Sequence, residues 1–247
     1  NSNISLNSAA PTIKNSTIRK SSGYGINASY SSPFIQNNTI TENGTSGVYG
    51  NNSSFTITGN TITNNGAYGI YDSTGSATLL LGNSISGNGS YPVMMSVNQA
   101  GNVNTYGTNG NNLLYLLGST VSQNLTMKNQ GLPYLMTGDI YVSGASAPTL
   151  TIEPGVTVKS NQYRMLYIGS GATPGALNAV GTATAPIIFT SSQATPTSGY
   201  WGGIYFSDGT VDANTVLDYV TVEYGGYSYN SNISLNSAAP TIKNSTI

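Results

Sequence analysis

The chain contains no cysteine and no histidine. The first absence excludes disulfides, thiolate metal sites and a cysteine nucleophile. The second removes the commonest general base and metal ligand. Charge is also scarce: 6% of residues, seven basic and eight acidic, for a net charge of −1. So few cations assemble no basic patch, and no nucleic-acid partner is expected. No apolar run approaches the ~18 residues of a spanning helix, so this segment is expected to hold no membrane span.

What fills the chain is Asn, Ser, Thr and Gly, beside 38% hydrophobic residues and 18 tyrosines. Disordered polar chains carry few β-branched and aromatic residues. Here both are plentiful, so the composition describes an ordered, β-rich fold with an uncharged exterior. A neutral Asn/Ser/Thr-rich surface without cysteine suits an extracellular or cell-surface location.

A short repeat organises residues 1–100. Residues 11–32 and 33–54 are 22 long, and 55–77 and 78–100 are 23 long. Ile13, Ile35, Ile57 and Leu80 align, as do Ile18, Ile40, Ile62 and Ile85, and Ile26, Val48, Ile70 and Val93. Each period offers three apolar points that it cannot bury alone. Stacked periods bury them as continuous columns, which is the logic of a solenoid. Gly, Asn and Thr at this density oppose a helical repeat, and a β-sandwich leaves the constant period unexplained. The expected fold is an all-β right-handed parallel β-helix with coils of about 22–25 residues, rising ~4.8 Å per coil.

Polar columns align too. Asn38, Asn60 and Asn83 follow Ser16, and Asn43, Asn65 and Asn88 follow Ser21. Asparagine tolerates the left-handed region and bonds neighbouring backbone, and stacked amides can bond from coil to coil. These six asparagines are expected to form structural ladders at sharp turns. Gly25, Gly47 and Gly69 hold a position needing a small side chain or positive φ. Tyr24, Tyr68 and Tyr91 stack beside it with Ser46 as a gap, and Lys20 and Glu42 form an expected cross-coil ion pair.

A longer repeat spans the chain. Residues 1–18, NSNISLNSAAPTIKNSTI, recur letter for letter at 230–247, an offset of 229. The organisation expected from this is regular coils over 1–100, a junction or loop over 101–118, and irregular opening coils of a unit over 119–229. Residues 230–247 then begin the next copy. Within the irregular part, TVLDYVTVEYGG lies over the repeat with Leu217 over Ile242 and Val222 over Ile247.

TLTIEPGVTVK, GALNAVGTATAPIIFTS, WGGIYF, LDYVTVEYGG and GNTITNNGAYGIY together resemble the parallel β-helix repeat region of large secreted prokaryotic cell-surface, adhesin-like proteins. The likeness covers residues 150–247 and roughly 4–93. It implies the β-helix strongly and function weakly, because pectate lyases, tailspikes and adhesins share the architecture.

Chemistry is sparse. Glycoside hydrolysis needs two carboxylates ~5–10 Å apart across a cleft. The best-spaced acids are Asp208 with Asp212, in a turn-like SDGTVDANT, and Asp218 with Glu223, at an odd separation that sends them to opposite strand faces. No catalytic set, cofactor or metal site is therefore expected, and the chain is not read as an enzyme. Trp201, Tyr24, Tyr68 and Tyr91 are the candidate glycan-contacting aromatics, although Trp201, in GYWGGIYF beside glycines that permit close packing, is read first as a core or cap aromatic. Asn27, Asn51 and Asn52 head N-x-S/T sequons on an expected surface turn, making them candidate glycosylation sites. The function expected is an extracellular structural or adhesive rod or fibre subunit, one period of an end-to-end array, whose partners are copies of itself and surface glycans. The alternative is a carbohydrate-binding or polysaccharide-processing β-helix.

Overall fold

The computed structural model describes residues 1–247. They form two compact units, Asn1–Leu117 and Gly118–Ile247. Strand pairing is parallel throughout, apart from two isolated antiparallel bridges in loops of the second unit. No helix is long and apolar enough to cross a membrane.

The first unit is a three-faced coil stack. Its first face carries Ser2–Asn7, Tyr24–Ser29, Val48–Asn51, Ile70–Asp72, Val93–Ser96 and Leu114–Leu117. The second carries Thr12–Lys14, Phe34–Gln36, Thr56–Thr58 and Leu79–Leu81. The third carries Thr17–Arg19, Thr39–Thr41, Thr61–Thr63, Ser84–Ser86 and Thr105–Tyr106. The register is the one the periodicity gives: Ile13 on Ile35 on Ile57 on Leu80, Ile18 on Ile40 on Ile62 on Ile85, and Ile26 on Val48 on Ile70 on Val93. Ile26, Ile35, Ile40, Val48, Ile57 and Ile62 are all 0% exposed. Burial of each such side chain contributes ~1.5–3 kcal/mol, so the columns supply the main drive for stacking.

The turns refine the expectation in two respects. The ladder asparagines do not themselves take the left-handed conformation; the residue before each does. Asn37 (φ 55°), Gly59 (65°) and Gly82 (69°) precede Asn38, Asn60 and Asn83, while Glu42 (56°), Asn64 (54°) and Gly87 (67°) precede Asn43, Asn65 and Asn88. The column Gly25, Gly47 and Gly69 is glycine for the other reason. None of the three has positive φ. A Cβ on Gly47 would lie 2.8 Å from the Gly69 carbonyl oxygen and 2.8 Å from Ile62 Cγ2, so close approach of coils sets the residue.

The asparagines are buried and serve both neighbours. Asn60 Oδ1 accepts from Asn38 N (2.9 Å) and Asn38 Nδ2 (3.0 Å), while Asn60 Nδ2 donates to the Ile35 carbonyl (3.0 Å) and to Asn83 Oδ1 (3.0 Å). The second ladder repeats the pattern through Asn43, Asn65 and Asn88. Both continue into residues 101–118, where the sequence shows only a loop and one strand. Asn104 Oδ1 accepts from Asn83 N, and Asn109 Oδ1 accepts from Asn88 N. Here the second-face strand is replaced by a 3-10 turn, Val97–Gln99, whose Gln99 Nε2 donates to the Ala77 carbonyl at 2.8 Å.

Asp72 pairs with Gly50, which in turn pairs with Ala28, and is 0% exposed. Its carboxylate accepts from Ser76 N and Ala77 N at 3.1 and 2.8 Å. Burial nevertheless holds its pKa above the usual carboxylate value, with those backbone donors offsetting part of the rise. A carboxyl raised in the folded state binds its proton more tightly there than when unfolded. Its stabilisation is therefore full at acid pH and declines as pH climbs from the ordinary carboxylate range through the raised value. Urea melts across this window should show that decline in the parent chain, and D72N should flatten it. Lys20 and Glu42 do meet, at 3.9 Å with side chains 68% and 51% exposed, a geometry worth little.

The second unit also has three faces. One carries Ser119–Val121, Ile140–Val142, Met165–Ile168, Gly203–Phe206 and Ile233–Leu235. The next carries Leu125–Met127, Thr149–Ile152, Ala176–Val180, Val216–Asp218 and Thr241–Lys243. The last carries Tyr134–Met136, Thr157–Ser160, Ile187–Ser191 and Val220–Val222. Loops widen its coils: Leu166 pairs with Ile204, thirty-eight residues on. Leu217 pairs with Ile242, the register read from the sequence.

Candidate functional site: two tyrosine faces and the seat of the repeated segment

Alternate residues of a strand point outward, and on the first face of the first unit the outward column pairs Ser5 with Asn27, Asn27 with Tyr49, Tyr49 with Tyr71, Tyr71 with Met94 and Met94 with Tyr115. Tyr68 and Tyr91 enter this column from the preceding turn, and Tyr24 from the first position of its own strand. Tyr24 stacks on Tyr49 (4.7 Å), Tyr68 on Tyr71 (4.6 Å) and on Tyr91 (5.7 Å), and Tyr91 meets Tyr115 edge-on (5.2 Å). The gap at Ser46 in the sequence column is thus filled by Tyr49. Tyr49, Tyr71 and Tyr115 escape a reading by column because they belong to a second column three residues along. The second unit carries its own face, with Tyr141 stacked on Tyr167 (4.7 Å), Tyr167 edge-on to Tyr205 (5.9 Å), and Tyr205 stacked on Tyr229 (4.9 Å).

Three of these phenols hold their protons more tightly than a free phenol. Burial and then the neighbouring phenols raise the pKa of Tyr24 and Tyr68, and burial followed by the Asp139 charge pushes Tyr167 up to about 12. Stacked rings spend π surface on each other, so the faces offer ring edges and hydroxyls more than open platforms. In an alkaline absorbance titration of the folded chain, the signal lost in Tyr167→Phe should titrate near 12. D139N should lower that value, while an unmoved value would remove Asp139 as a cause.

Trp201 leaves the set of outward aromatics. It is 1% exposed, and its Nε1 donates to the Glu223 carbonyl at 2.8 Å. Its ring fills the interior beside glycines and cannot stack on a ligand. The acids are dispersed among structural partners. Glu223 Oε1 accepts from Thr190 Oγ1, and Asp212 Oδ1 accepts from Ala239 N. Asp218 accepts from Asn244 Nδ2 at 2.8 Å and faces Lys243 at 3.3 Å. The Asn244 bond, with Lys243 behind it, lowers its pKa. Of the sequons, Asn27 sits inside Tyr24–Ser29 rather than in a turn, with its Oδ1 buried. Asn51 ends a strand, and Asn52 lies in the turn beyond with φ 46°.

Asp212 and Asp218 thus mark where the repeated segment sits. Residues 230–247 close on the coil of residues 204–222 through Ile233 on Ile204, Ser234 on Tyr205, Ile242 on Leu217 and Thr246 on Thr221. Ser245 Oγ accepts from Val220 N at 3.1 Å, and Asn232 Oδ1 accepts from Gly225 N at 2.7 Å. Both copies of the segment turn alike. Ser8 and Ser237 have φ 52° and 53°, and Asn15 and Asn244 have 53° and 49°.

A family model described as right handed beta helix region matches residues 2–163. The chain belongs to that family. A second model, a pectate-lyase like beta helix domain, matches residues 118–214 of this right-handed β-helix chain. Pectate-lyase-like β-helices can be enzymatic, and the match covers the part that includes Asp139, Glu153, Asp208 and Asp212. No curated protein and no solved structure matches the β-helix chain.

Proposed function

We propose that this β-helix is one period of an extracellular, cell-surface rod or fibre with a structural or adhesive role, its copies running end to end as a tandem array or filament. One observation carries the reading: the same eighteen residues appear 229 positions apart and take up the same turns in both places. Open coil edges pair with other chains, and a following copy covers such an edge. The near-absence of charged residues and the tyrosine faces suit lateral contact with surface glycans or neighbouring fibres. Asn51 and Asn52, at a turn, are the sequons a glycan reaches; intact mass of protein from the native source decides, and an unmodified mass removes them. Electron microscopy of native particles is expected to reveal rods or sheaths with an axial repeat. Monodisperse single subunits, from a parent holding one copy, would overturn the proposal.

The second reading, carbohydrate binding or polysaccharide processing, draws on the pectate-lyase like match and on the tyrosine faces. A glycan-array screen with a depolymerisation assay tests it, and silence in both would remove it.

A further inference from the structure

The repeated segment is seen with each of its two edges occupied, once in each unit. At 230–247 its backward edge is paired, with Ile233, Ser234 and Leu235 on Ile204, Tyr205 and Phe206, and Ile242 on Leu217. At 1–18 its forward edge is paired, with Ile4, Ser5 and Leu6 on Ile26, Asn27 and Ala28, and Ile13 on Ile35. Identical sequence and matching turns let the two half-views be combined into one complete coil.

We infer that, where one copy follows another, the two tyrosine faces fuse into a single continuous column. This rests on the end-to-end reading above. In the first unit, Ser2–Asn7 lies on the face that carries Tyr49, Tyr71 and Tyr115. In the second unit, Ile233–Leu235, the second copy of Ile4–Leu6, lies on the face that carries Tyr141, Tyr167 and Tyr205. The tyrosine-bearing first face of a following copy therefore continues the face of Tyr141, Tyr167 and Tyr205.

The composite column then reads Tyr141, Tyr167, Tyr205, Ser234, followed by Asn27, Tyr49, Tyr71, Met94 and Tyr115 of the following copy. Its three non-aromatic coils each receive a ring from a residue just upstream in the chain. Tyr91 serves the Met94 coil and Tyr24 the Asn27 coil. Tyr229, immediately before the repeated segment and stacked on Tyr205 at 4.9 Å, serves the Ser234 coil. The ring needed in a copy's first coil is thus supplied by the copy before it. The seat is specific as well as apolar, because Asp218 takes Lys243 and Asn244, the equivalents of Lys14 and Asn15.

The test is a two-copy chain in which a complete 247-residue copy follows residue 229 of the first. With no native cysteine, introduced pairs are unambiguous. D218C in the first copy with K14C in the second should close to a disulfide on oxidation. D218C with R19C, the pair expected if the following copy were seated one face round, should stay reduced. Small-angle scattering reports in parallel whether the two copies form one stiff body. A stiff body in which the R19C pair closes and the K14C pair does not would overturn the fused column and leave the end-to-end reading standing. Two copies hinged independently would overturn both.

Discussion

Replacing Asn60 by alanine is expected to cost about 4 kcal/mol, among the largest single-residue losses in the first unit. The reason is multiplicity. Asn60 Oδ1 holds both the backbone and side-chain amides of Asn38, and Asn60 Nδ2 reaches the carbonyls of Ile35 and Thr58 and the amide oxygen of Asn83. All three asparagines are 1–2% exposed, so no water replaces the lost partner. Each buried group left unpaired costs ~1–3 kcal/mol. Aspartate does not rescue the site, because it supplies no donor for the Ile35 carbonyl and buries a charge. N111A, at an exposed position whose backbone N–H alone is engaged, to the Ser90 carbonyl, should stay within ~0.5 kcal/mol. Chemical denaturation of both variants checks the contrast, and equal losses would remove the ladder as a source of stability.

The second large effect lies inside the coil. A Cβ added to Gly50 would stand 1.8 Å from Phe55 Cε1, and Phe55 is 0% exposed. The ring leans across the column that holds Ala28 below and Asp72 above, so the position has no room for a methyl. G50A should cost about 3 kcal/mol by overpacking. F55A should cost about 4 kcal/mol through the cavity it opens. The two are not additive. With Phe55 gone the methyl has space, and the G50A increment in the F55A background should fall to well under 1 kcal/mol. Additive losses in that cycle would mean that Gly50 answers to some other neighbour.

Much of this fold was legible because a solenoid converts sequence period directly into spatial register. The three aliphatic columns and the Lys20–Glu42 contact follow from counting 22 or 23 residues per coil, and the seating of Ile242 on Leu217 follows from laying TVLDYVTVEYGG over the repeat. Legibility ended where the count changed. The step from Asn83 to Asn104 is 21 residues and crosses a missing strand, so both ladders outrun the four regular periods unnoticed. The glycine column illustrates a different limit. Composition says that Gly47 must be glycine, but only the approach of the Gly69 carbonyl says why, and the left-handed positions fall to Asn37, Gly59 and Glu42 instead.

The tyrosine faces were half visible. Tyr24, Tyr68 and Tyr91 share a column, but their stacking partners Tyr49 and Tyr71 stand in a neighbouring column and join only when side chains lean along the stack. The glycines beside Trp201 point it inward in the sequence, and its burial, with Nε1 on the Glu223 carbonyl, agrees. Asp212 and Asp218, one from each of the two best-spaced acid pairs, resemble catalytic groups only by spacing. Their partners, the backbone of Ala239 and the side chains of Lys243 and Asn244, belong to the repeated segment, and that relation appears only when the second copy is placed on the coil beneath it.

The measurement that bears most directly on stacked, sealed coils is hydrogen exchange of the asparagine side-chain amides, resolved by NMR. In this fold the Nδ2 protons of Asn38, Asn60 and Asn83 are enclosed between consecutive coils and should exchange as slowly as the backbone amides of Ile35 and Ile57, while those of Asn111 exchange freely. Ladder amides exchanging as fast as Asn111 in the folded protein would contradict the stacked-coil account.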